Sequence, residues 1–242
     1  MGSLAAGGSE ALKRPNWYDI SGRFAEPRHC LASFLALESA EVLEGVKPAN
    51  LVNLPNRVRP CGRNLYTLWR SEGRQVLAES GLAARELADR GDSLLLLLYS
   101  PAAIEELLRG PAAAGVLRRS GYGALNDADA TLEELAGRCG GSGFPHEIGV
   151  FLGYPLKDVA AFMGWVQLPF ACQTLWKVYG DPRPSLELAE TFLCCRRQMA
   201  RRLARCDDPR ACLTASRTSK ALFLPPASEK ENQNPVHPCA SH

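Results

Sequence analysis

His146 and Glu147 are adjacent, and an imidazole beside a carboxylate can move protons or bind a metal. A zinc-protease helix needs H-E-x-x-H, which sets two imidazoles one turn apart with the glutamate as base. Val150 and Phe151 are the third and fourth residues after Glu147, so that motif is absent. A helix starting at Pro145 gives the pair a structural use instead. Glu147 then lies in the first turn, where its charge favours the helix dipole. Cys172 is the third candidate for chemistry. If it met His146 in space, the two could form an activated nucleophile, or hold a soft metal together with Cys194 or Cys195. No spacing enforces that meeting. No metal site is assigned, and the cofactor is left unspecified.

A second group could bind rather than react. In LWKVYGD, strand alternation puts Lys177 and Tyr179 on one face and Trp176 and Val178 on the other. A cleft lined by Lys177, Tyr179 and Lys47 would suit a phosphate or carboxylate; the plainer reading is a solvated edge strand. Asn50 and Asp181 are further polar residues in the same blocks. In CCRRQMARRLAR, Arg197, Arg201 and Arg205 line one helix face by fours. Such a row could grip phosphates. Cations near a helix C-terminus are stabilising in any case, and a net charge of +2 with no aromatic interleaving argues against nucleic acid as the partner.

These residues need elements to position them. With 46% hydrophobic and 22% charged residues, the 242-residue chain can bury a core. Leu31 to Leu43 recur at helical spacing and end at Gly45; Leu51 to Leu54 read as a short strand or extended turn between two prolines; Leu65 to Leu77 suggest a helix of roughly four turns. Then comes a hairpin signal: weak alternation to Asp89, Arg90-Gly91-Asp92 as turn, and SLLLLLYS. That apolar run reads as a strand buried on both faces at the centre of a sheet. Pro101 opens a helix, Pro111 a second, and Asp127 or Asp129 caps a third. Pro145, Gly153 and Pro155 bound two short helices in a tight corner, and Asp181-Pro182 begins the last long helix.

The N-terminus shows no export signal and the longest apolar run is too short to span a bilayer, so a cytoplasmic, soluble protein without membrane attachment is expected. Nine cysteines, an odd number with no C-x-x-C, fit free thiols in a reducing compartment. His237, Cys239 and His242 in the tail could take up metal only weakly.

The block FPHEIGVFLGYPLKDVAAFM, followed by WKVYGD, resembles a bacterial family known as domain of unknown function 3793, found mainly in Firmicutes. LEGVKPANL, SLLLLLYS, Cys194 and Leu213-Thr214-Ala215 support it, together covering roughly residues 28–215. The resemblance implies no activity. It implies thiols near the L-x-G-[IV]-K segment and just before the W-K-V-Y strand, where this chain has Ser39 and Leu175.

The expected architecture is α+β, with a small mixed sheet of three or four strands covered by five to seven helices around one core. Residues 1–26 are expected to be a mobile arm from which Trp17 and Tyr18 can dock, 27–213 a single globular domain, and 214–242 a disordered tail. The leading functional reading is a domain that binds a protein partner or small ligand. An enzyme or metal-handling protein using His146, Glu147 and Cys172 is the alternative, and a nucleic-acid-associated protein is third.

Overall fold

The computed structural model describes residues 14–214 apart from 79, 124 and 142. Its first element, α1 (Tyr18–Ser21), is a single turn. Trp17, Ile20 and Phe24 around it are buried, and the Trp17 indole donates to the Ser33 hydroxyl at 3.0 Å. Residues 17–24 of the expected arm therefore pack on the body, and residues 1–13 lie outside the described residues. Helix α2 (Pro27–Glu38) starts where Glu26 accepts from the His29 N–H at 2.7 Å, with Pro27 in the first turn. After a break at Ser39 the chain continues as α3 (Ala40–Leu43). Gly45, at φ +72°, ends it, and the Val46 N–H reaches back to the Glu41 carbonyl at 3.0 Å.

Strand β1 (Ala49–Pro55) is followed by α4 (Leu65–Ala78) and then by β2 (Ala83–Asp89) and β3 (Ser93–Tyr99), which form the expected hairpin. Gly91, at φ +78°, makes its turn. The sheet order is β1-β3-β2, with both pairings antiparallel and SLLLLLY in the middle. That central place explains its composition. Leu94, Leu96 and Leu98 face a core cluster built on α2 and α4, whereas Leu97 belongs to a second cluster on the opposite face. A strand covered on both sides has no polar face to show, so alternation disappears.

The second cluster is roofed by α5 (Pro101–Arg109), α6 (Pro111–Arg119) and α7 (Ala128–Cys139). Asp127 caps α7 by accepting the N–H groups of Asp129 and Ala130 at 2.9 and 3.1 Å. The chain then runs through α8 (Ile148–Phe151), α9 (Leu156–Phe162), β4 (Phe170–Gln173), β5 (Lys177–Tyr179) and α10 (Arg183–Leu203), and closes with a 3-10 turn, Pro209–Leu213. Strands β4 and β5 pair only with each other, antiparallel. Beneath them Trp176, Val178, Ala189 and Phe192 form a third, small cluster. The protein is thus α+β, with ten α-helices among the described residues, a three-stranded antiparallel sheet and a separate two-stranded one. Among those residues no helix is long and apolar enough to cross a membrane.

Candidate functional site

The corner between α8 and α9 is set by two glycines. A Cβ on Gly149 would lie 2.9 Å from Val159 Cγ2, so its absence lets the two helices touch. Gly153, at φ +67°, turns the chain between them, and a Cβ there would meet Pro48 Cδ at 2.8 Å. The glycines of the GVFLGYP block are thus required by close packing.

The β4–β5 hairpin is fastened to this corner through Asp158, which carries no motif in the sequence. Its buried carboxylate accepts four hydrogen bonds: from Lys157 Nζ (2.7 Å) and the Tyr179 N–H (2.9 Å) on one oxygen, and from Trp176 Nε1 (2.8 Å) and the Ser185 hydroxyl (2.7 Å) on the other. Burial alone would raise its pKa. Hydrogen bonds from Lys157, Ser185, Tyr179 and Trp176 outweigh that and hold it below the ordinary aspartate value.

Between corner and hairpin lies a cleft of about 410 Å³. Its lining is mostly apolar and aromatic, with Phe144, Tyr154, Phe162 and Trp176 among the walls. His146 stands edge-on to Phe162, ring centres 4.9 Å apart, and Lys177 Nζ lies 5.3 Å from the centre of the same ring. Both line the cleft and both are exposed. Tyr154 stacks on Trp176 at 4.6 Å, with their planes 23° apart.

The other sequence candidates are placed elsewhere. Glu147 precedes α8, which begins at Ile148 and not at Pro145, and its side chain makes no cap bond. It is buried and pairs with Arg138 Nη1 at 3.3 Å. Arg138 also holds the Ser120 carbonyl and Glu134 and lies over the Tyr122 ring. The expected first-turn role thus gives way to an ion pair, because the helix is too short to enclose Glu147. Cys172 is half-buried against the Trp176 cluster and does not line the cleft. Tyr179 shares the exposed face of β5 with Lys177, as alternation required, but its ring turns edge-on to Phe170 and not into the cleft. Lys47 is buried behind Tyr154: its Nζ bonds Asn50 Oδ1 and lies 5.3 and 5.1 Å from the ring centres of Tyr154 and Phe192. Asn50 in turn donates to the Glu38 carbonyl and to Glu41, both at 2.7 Å. Burial lowers the Lys47 pKa to about 8.

Burial likewise pushes the thiols of Cys30, Cys139 and Cys212 up to about 11 and that of Cys195 to about 12, which keeps them as unreactive thiols at neutral pH. Among the described residues no group of three or more His, Cys, Asp or Glu is placed to share a metal ion. The tail residues His237, Cys239 and His242 lie outside the described residues. The arginines of α10 are largely engaged: Arg196 is buried on Glu38, Arg197 pairs with Glu190, and Arg202 with Glu44.

Fold and cleft together define an α+β protein with an aromatic-walled pocket at a helix corner. The chain belongs to a family described as protein of unknown function (DUF3793), whose family-wide sequence model matches residues 35–213. No curated protein and no solved structure gives a significant match to the chain.

Proposed function

We propose that this is a binding protein, and that the cleft between the α8–α9 corner and the β4–β5 hairpin receives a small ligand with a largely apolar body. One observation carries the reading: aromatic walls enclose about 410 Å³, a size within the range of small-molecule pockets (about 300–1,000 Å³), with only a few polar groups at hand. The reactive candidates do not converge there, since Glu147 is committed to Arg138 and Cys172 sits outside the lining. Eight free thiols among the described residues support a reducing, cytoplasmic setting.

The test uses N-phenylnaphthylamine, a neutral probe that fluoresces in apolar surroundings. Saturable binding at one site per chain is expected. Phe162 is 42% exposed, so Phe162→Glu leaves the fold intact while placing a charge on the cleft wall, and affinity should fall about tenfold or more. Absent saturable binding, or undiminished binding to the variant, would refute the reading.

A further inference from the structure

The charged groups around the cleft are unequally engaged, and the inequality points to the sign of the ligand. Of the three lysines among the described residues, Lys47 donates to Asn50, and Lys157 donates to Asp158 and to the Tyr179 carbonyl at 2.6 Å. Lys177 has neither: no carboxylate among the described residues lies within ion-pair distance of it, and its ammonium group sits over Phe162 at the cleft. The acid in the lining, Asp158, offers nothing to a cation. Each of its oxygens already accepts two hydrogen bonds, and Lys157 offsets its charge. The charge left available at the cleft is therefore positive, with the His146 ring, which also meets Phe162, as a second hydrogen-bond donor. Among aliphatic residues such as Ile148, Leu152 and Val159, the walls present five flat rings: Phe144, His146, Tyr154, Phe162 and Trp176. Such walls favour a planar body that can stack or meet ring edges.

Resting on the cleft as the binding site, we propose that its ligand is a planar aromatic anion, with the rings held between the aromatic walls and the carboxylate or equivalent acidic group at Lys177. A polyanion such as nucleic acid is a poor match, because one unpaired lysine neutralises a single charge. A metal or an amine is a poor match, because the carboxylate is saturated.

A pair of probes with one aromatic body separates the two levels of the proposal. Anilinonaphthalene sulfonate carries an acidic group that N-phenylnaphthylamine lacks. The sulfonate should bind the full chain about three- to fivefold more tightly, the range expected of a single exposed ion pair. Lys177→Gln should erase that preference by weakening the sulfonate more than the neutral probe. The preference should also shrink as salt rises, since Lys177 is exposed. Equal affinities for the two probes, or a preference that survives Lys177→Gln, overturn the anion assignment and leave the cleft standing. Failure of both probes to bind saturably overturns the cleft as well.

Discussion

Trp176 donates its indole N–H to Asp158 at 2.8 Å, and this bond ties the β4–β5 hairpin to α9 in the wall of the cleft. The same carboxylate holds Ser185 at the start of α10, so one side chain joins three elements. A buried acid with four donors is a fixed point of the structure.

Asp158→Asn turns one acceptor into a donor facing other donors, and should cost about 3 kcal/mol of stability at neutral pH. Because the folded state lowers the Asp158 pKa, its contribution is complete above the unfolded carboxylate value and fades as pH falls through the folded one. Urea unfolding of both proteins should therefore converge in acid. A gap that stays constant from neutral to acid pH would contradict this account.

Lys47 should behave with the opposite pH sense. Its pKa is about 8 in the fold against an ordinary lysine value of 10.5, so between those values the unfolded chain binds more protons. Stability from this group alone then rises with pH, by about 2 kcal/mol from pH 7 to 9.5. Buried cysteines titrate the other way, so the readable quantity is the difference between the native protein and Lys47→Met. That difference should move in favour of the native protein across the window. A flat difference would show that Lys47 keeps an ordinary pKa despite its burial.

Two glycine substitutions should act in opposite directions. Gly153→Ala puts a Cβ into Pro48 at a positive φ and should destabilise by about 2 kcal/mol while weakening probe binding, since Leu152 and Tyr154 on either side line the cleft. Gly137, in α7, has nothing within 4 Å of an added Cβ, and Gly137→Ala should stabilise by about 0.5–1 kcal/mol. Thermal unfolding distinguishes the two, and equal shifts would rule out the packing explanation.

The arginines of α10 and of the turn after it should divide by burial. Arg196 donates to the Pro15 and Leu37 carbonyls and to Glu38, so Arg196→Ala should cost about 3 kcal/mol or more. Arg205 is exposed, and Arg205→Ala should stay within about 0.5 kcal/mol of the native protein. Similar losses for both in denaturant titrations would show that Arg196 is not a structural tether.

Much of the framework was legible locally. Pro101 and Pro111 marked helix starts, Gly45 and Gly91 marked turns, and the continuous Leu94–Leu98 run announced a strand covered on both faces. Each of these signals is a property of one residue's backbone or of a short period, so no knowledge of distant neighbours is needed.

The candidate site was legible in place but not in membership. The Phe144–Asp181 block does enclose the cleft, and alternation in β5 correctly sent Lys177 outward and Trp176 inward. Asp158 gave no signal, because an acid shortly after a proline looks like any first-turn carboxylate; its partners Trp176, Tyr179 and Ser185 are 18 to 27 residues away. Lys47 looked like a ligand-binding cation until folding buried it with Asn50 behind Tyr154, and Glu147 was claimed by an arginine nine residues earlier. The sequence by itself thus determined the elements and the faces they show, through local sterics and periodicity. Which polar groups are consumed by one another and which stay free to meet a ligand was decided only by the tertiary structure, because pairing depends on distances that no spacing along the chain encodes.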